Sequence, residues 1–137
     1  MAERRDVYAY FWVEGFDCSC DAVTAQLQIV PSKTQRAGDP RRSGQPRQTN
    51  SWELLSPLAR GENLIQEYLE ALLPLLEARA PVVHDLALRY SAGINCVGYF
   101  YGSNPGLHLS SQLVARIAAL RLSVDFDLYK YGEDDAP

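Results

Sequence analysis

Between Leu122 and Tyr129 the chain alternates without a break: Leu122, Val124, Phe126 and Leu128 interleave with Ser123, Asp125, Asp127 and Tyr129. Side chains of a β-strand point to opposite faces in turn, so this pattern suits a strand with one face on a core and the other outside it. The stretch from Val7 to Glu14 repeats the pattern, with Val7, Ala9, Phe11 and Val13 set against Tyr8, Tyr10, Trp12 and Glu14. Two such strands, one near each end of the chain, call for a sheet that lays its apolar side on helices. The opposite side inherits an aromatic and acidic set of residues.

The intervening elements follow from periodicity and punctuation. Ser19 or Asp21 caps a short amphipathic helix that ends near Gln28. Pro31, Gly38, Pro40, Gly44 and Pro46 make most of the stretch from Ile29 to Asn50 a loop, with short strands predicted over 33–37 and 49–55. Leu64, Ile65, Tyr68, Leu69, Leu72, Leu73 and Leu76 recur at three- and four-residue spacing and predict one long helix, kinked at Pro74. Pro81 opens a second helical piece through Tyr90, which Gly93 ends in a left-handed conformation. A strand over 94–101, a turn at 103–106 and a helix capped by Ser110 or Ser111 lead into the final strand. The order predicts an α+β fold: a mixed four- to five-stranded sheet with a ferredoxin-like β-α-β-β-α-β core, an extra C-terminal helix and strand, and helices mainly on one face. Tyr10-Phe11-Trp12 and Tyr99-Phe100-Tyr101 each lead through a loop into a Ser-capped helix, an echo that would put Cys18 and His108 in matching loops.

One such domain accounts for all 137 residues, with 1–5 and 132–137 expected to fray. The odd set Cys18, Cys20 and Cys96 fits reduced thiols. No leader-like apolar core precedes the first strand and no run approaches a membrane span, so a cytoplasmic protein without a membrane partner is expected. The net charge of -4 conceals an asymmetry, since Lys33, Arg36, Arg41, Arg42 and Arg47 against Asp39 form one basic loop on an acidic body.

Several segments carry a family likeness. They are the aromatic first strand, Pro31 to Thr34 running into Arg36-Ala37-Gly38-Asp39-Pro40, Ser51-Trp52-Glu53-Leu54, the segment from Asn104 to Ser110, and the ending from Val124 to Tyr129. Together they resemble the bacterial domain-of-unknown-function 4279 family over nearly the whole chain. The Gly-Leu-His-Leu-Ser turn at 106–110 and the Asp-Phe-Asp strand at 125–127 are the most specific parts. The resemblance implies a fold and a bacterial origin and carries over no catalytic residues. Some similar small bacterial domains are suspected immunity proteins for secreted toxins.

The candidate site is the sheet face opposite the helices, where Tyr8, Tyr10, Trp12, Asp125, Asp127 and Tyr129 meet, joined by Tyr99 and Tyr101. Rings of this kind anchor interfaces because they bring large contact area at low entropic cost. The bland reading is that a helix or a second subunit covers them. Trp52 and the basic-loop residues Arg36, Arg41 and Arg42 complete the set of candidate binding residues. Aromatic sheets also stack RNA bases, but Glu14, Asp125 and Asp127 would repel phosphates, so nucleic acid is not expected. Asp125 and Asp127, about 7 Å apart on one side of a strand, form a weak signal for acid–base work or a cation, against the commoner reading of a solvated strand face. Cys18, Cys20 and His108 lack the spacing of a zinc motif, and no metal or other cofactor is expected.

These readings favour a non-enzymatic protein-interaction module using the aromatic and acidic face. The alternative is a small-ligand-binding domain or enzyme with its site between the basic loop at 33–47 and Asp125 and Asp127. The partner expected is another protein or a second copy of the chain. A homodimer would need Arg side chains of the basic loop between the opposed aspartates, and would weaken with salt.

Overall fold

A computed structural model of the chain describes residues 4–103 and 105–135. It comprises β1 (Arg4–Glu14), α1 (Cys20–Leu27), β2 (Lys33–Gln35), β3 (Ser51–Leu55), α2 (Ile65–Glu77), α3 (Ala80–Arg89), β4 (Ser91–Tyr101), α4 (Ser111–Ala119) and β5 (Ser123–Tyr131). The strands form one sheet in the order β2-β3-β1-β4-β5. Every pairing is antiparallel except β4 with β5, which run parallel on either side of the α4 crossover. This is the expected mixed α+β sheet, with β5 appended beyond the β-α-β-β-α-β unit.

Register fixes which side chains share a face. Val7, Ala9, Phe11 and Val13 lie beside Ile94, Cys96 and Gly98 of β4 and Trp52 and Leu54 of β3, and all of these are buried. The helices supply the other half of that core: α2 buries Ile65, Tyr68, Leu69, Leu72, Leu73 and Leu76. At roughly 1.5–3 kcal/mol for each large apolar side chain withdrawn from water, that one stripe is what seats α2 on the sheet. Burial of Cys96 beneath the helices pushes its thiol up to about 12, so it behaves as a small apolar residue.

Local chemistry explains most boundaries. Ser19 and Ser110 act as N-caps, their hydroxyl oxygens accepting from the N–H groups of Ala22 and Leu113 at 3.1 Å each. Helix α2 continues through Pro74 to Glu77. Pro74 and Glu70 are both exposed, so the Glu70 carbonyl that loses its partner can turn to water. The division into two helices falls instead at Arg79, after which Pro81 occupies the first turn of α3. Gly93 does not end that helix: Tyr90 caps it in an extended conformation, and Gly93 lies inside β4, opposite Trp12.

The basic loop is not structureless. It forms its own hairpin, in which Gly38 N–H donates to the Arg47 carbonyl at 2.8 Å and Arg47 N–H donates to that of Asp39 at 2.7 Å. Backbone groups that pair with each other need no sheet to satisfy them, which is how so long an excursion fits a compact domain. Arg4 and Arg5 extend β1 along Tyr101 and Phe100, and Gly132 to Asp135 close a 3₁₀ turn in which Asp135 accepts from the Gly132 N–H at 3.0 Å. The remaining residues expected to fray, 1–3 and 136–137, lie outside the described residues.

Candidate functional site

Strand parity that sends Phe11 and Trp52 into the core sends the alternate residues to the other side. Tyr8, Tyr10 and Trp12 of β1 share that side with Asn95, Val97, Tyr99 and Tyr101 of β4. The β5 residues Asp125, Asp127, Tyr129 and Tyr131 continue it at one edge, and Glu53, Leu55 and Lys33 at the other. None of the rings is buried, and Tyr129 and Tyr131 are more than two-fifths exposed. The face divides into two zones.

The first zone is a bank of tyrosines. Tyr99 stacks on Tyr129 with ring centroids 5.1 Å apart, and Tyr101 stacks on Tyr131 at 5.6 Å. These are register pairs between parallel strands, and the ring planes lie within 21° of parallel. Arg60, from the loop between β3 and α2, lies over this bank. Its guanidinium sits 4.6 Å above the centre of Tyr8 and 5.8 Å from that of Tyr99. Nε and one terminal nitrogen donate to the two carboxylate oxygens of Asp6, each at 2.7 Å. That fork holds the Asp6 carboxyl below the usual carboxylate range. The loop is anchored by reciprocal backbone bonds between Val7 and Gly61, at 2.8 and 3.1 Å, where β3 no longer accompanies β1.

The second zone is acidic. Glu14, Glu53 and Asp125 surround a cavity of about 290 Å³ whose walls also include Tyr10, Trp12 and Asn95. The Asn95 amide nitrogen donates to the Tyr10 hydroxyl at 2.8 Å and to Oδ2 of Asp127 at 3.1 Å. A carboxylate can only accept, so Asp127 fixes the orientation of the amide. Asn95 Oδ1 is buried and has no hydrogen-bond donor among the described residues. Burial raises the Glu53 carboxyl above its ordinary value, while Lys33 and Arg47 oppose the rise through space. Burial likewise raises the Tyr10 hydroxyl. No ion pair within 4 Å joins Glu14, Glu53, Asp125 or Asp127 to a cation among the described residues.

Gly93 shapes this zone. A Cβ there would stand 2.6 Å from Ser123 Oγ and 3.0 Å from Trp12 Cζ2. Its absence lets the indole lie across β4, as close approach of a side chain to a strand backbone requires.

The structure therefore brings Tyr8, Tyr10, Trp12, Tyr99, Asp125, Asp127 and Tyr129 onto one face, and separates the rest. Trp52 belongs to the core: it is fully buried, its indole N–H donates to Thr24 Oγ1 at 3.0 Å, and its ring meets Phe11 edge-on. Arg36, Arg41 and Arg42 lie in and beside the hairpin beyond β2, at the edge of the sheet opposite β5. Among the walls of the cavity that holds Asp125 there is no residue of that hairpin. Cys18 and His108 are not in matching places either. Because β1 and β4 are antiparallel, the loops that follow them leave from opposite ends of the sheet. No group of three or more His, Cys, Asp or Glu side chains among the described residues is arranged to hold a metal ion.

Sequence reasoning missed Asn95, Glu53, Tyr131, Asp6 and Arg60. Alternation from Tyr99 and Tyr101 back along β4 would have placed Asn95, and alternation from Tyr129 would have placed Tyr131. Glu53 follows from Trp52 once that ring is assigned to the core. Arg60 carried no signal, because it reaches the face from a loop.

These features define a class: a small α+β domain with one sheet face covered by helices and the other open, ringed and acidic. Within that class, the model for a domain of unknown function, DUF4279, matches residues 5–131, and the chain belongs to that family. No curated protein and no solved structure matches the chain. No helix of the described residues is long and apolar enough to cross a membrane.

Proposed function

We propose that this protein is a non-enzymatic interaction module that binds another protein through the open face of its sheet. One observation carries the reading: a bank of tyrosines and a set of carboxylates with no ion pair among the described residues share a face that the helices leave open. Fixed aromatic side chains on a rigid sheet are the usual anchors of a protein interface. The carboxylates of β1, β3 and β5 disfavour a phosphate backbone. The alternative, a small-molecule site between the basic hairpin and the aspartates, loses support from the strand order, which puts the two at opposite edges.

A photo-crosslinking amino acid at Tyr129, compared with one at Val114 on the exposed side of α4, tests the reading. The expected result is a defined adduct from Tyr129 alone, lost when Tyr10 and Trp12 are both changed to Ala. Adducts of equal yield from both positions, unaffected by the double change, would overturn it. An adduct between two copies of the chain would identify a homodimer as the occupant.

A further inference from the structure

We infer that the acidic zone receives an arginine side chain from a basic protein partner, in the way the adjoining tyrosine zone already holds Arg60. The inference rests on the interaction reading above and adds the chemistry of the partner.

Arg60 shows what this sheet offers a guanidinium. A carboxylate on β1 takes the fork through two parallel hydrogen bonds of 2.7 Å, and rings on β1 and β4 take the flat face of the cation. The two contacts are compatible because a guanidinium is planar, with its N–H donors in the plane and its π-face perpendicular to it. The second zone repeats these ingredients with no cation among the walls of its cavity, Lys33 and Arg47 acting on Glu53 only through space. Trp12 and Tyr10 supply rings from β1, and Asp125, Glu53 and Glu14 supply carboxylates around them. The cavity of about 290 Å³ is lined as well by Asn95, whose amide is held in place by Tyr10 and Asp127. Partial burial of Glu53 with no salt bridge among the described residues points the same way, since a partly desolvated carboxylate gains from a cation that arrives with its own hydrogen bonds.

The choice of arginine over lysine follows from the same geometry. An ammonium is a compact, strongly hydrated charge that makes no bidentate fork and keeps less contact with a ring. A nucleic acid is excluded as the occupant by the sign of the charge. A second copy of the chain would bring the exposed arginines of its basic hairpin, and the test below separates that case.

The experiment titrates the full chain with two Gly/Ser-based peptides, one carrying four arginines and one four lysines, while NMR follows the Trp12 indole N–H and the Asn95 amide. The arginine peptide is expected to shift both signals and to bind about fivefold more tightly than the lysine peptide, the difference corresponding to one cation–π contact. Glu53→Gln with Asp125→Asn, both at the protein surface, is expected to weaken it about tenfold. Equal affinity for the two peptides, no shift at Trp12 and Asn95, or binding that ignores the double substitution would each overturn the inference. A concentration-dependent shift of the same two signals without peptide, abolished by Arg41→Ala with Arg42→Ala, would assign the zone to a second copy instead. If the arginine peptide fails while the Tyr129 crosslink is still formed, the arginine assignment falls and the interaction reading stands. If the peptide binds as expected and the crosslink is absent, the reverse holds.

Discussion

The two tryptophans of this protein sit on neighbouring strands and answer to different demands. Trp52 points into the helices, fully buried, with its indole N–H satisfied by Thr24. Trp12, in register with Glu53 of β3, lies on the open face beside carboxylates. What distinguishes them is only strand parity, yet one ring is a structural element and the other is available for contact. The whole sheet divides in this way: its helix-covered face is apolar and closed, and its open face carries rings, charges and an amide oxygen without a donor among the described residues. Buried apolar packing is concentrated on one side and partly exposed rings and charges on the other.

The strongest way to test the division is to truncate each ring. Trp52→Ala is expected to destabilise the fold by about 3–5 kcal/mol, as removal of a buried large aromatic does. Trp12→Ala should cost less, about 1–2 kcal/mol, because its ring is only partly buried. Urea unfolding of both variants checks this, and equal losses would erase the distinction between the faces. Gly93→Ala follows in size. Its new Cβ would meet Ser123 and Trp12, so about 1–3 kcal/mol of overpacking strain is expected, together with a shift in Trp12 fluorescence.

Arg60→Ala probes the open face itself. Its ion pair with Asp6 is substantially exposed, at 53% and 39% of the two side chains, so less than about 1 kcal/mol is expected at neutral pH. The sign with pH is defined. Because Asp6 is held below its ordinary value of 3.8, its stabilisation is fully present above that value and is lost as pH falls through the lower folded value. The gap between wild type and variant in thermal unfolding should therefore close on acidification.

Glu53→Gln is the smallest effect, within about 0.5 kcal/mol, and has the opposite pH sign. Burial raises this carboxyl above 4.5, so its ionised form penalises the fold as pH rises through the raised value, and the penalty is absent below 4.5. The glutamine variant should thus gain on wild type as pH rises from acid to neutral, which a urea series at several pH values measures.

Much of this molecule was legible in the residue order. The alternation of Val7 to Glu14 and of Leu122 to Tyr129 named the strands and both of their faces, because a strand offers a side chain only two directions. Ser19 and Ser110 named two helix starts through their hydroxyls. Gly93 was misread as a helix stop, since glycine serves a left-handed cap and a crowded strand equally well and only the neighbouring Trp12 tells them apart. Trp52 was grouped with the binding residues for its ring, although its own alternation with Leu54 put it on an apolar face.

The sequence by itself determined the elements, the capping, and the partition of each strand into an apolar and a polar side, all of which depend on neighbours a few residues away. Only the tertiary structure decided the strand order. That order put β5 beyond β4 and the basic hairpin beyond β2, so it joined Asp125 to Trp12 and Asn95 and kept Arg41 and Arg42 from them. It also brought Arg60 to Asp6 across 54 positions. Contacts of this range are set by how helices close one face of the sheet and leave the other open, and no local pattern of residues encodes that choice.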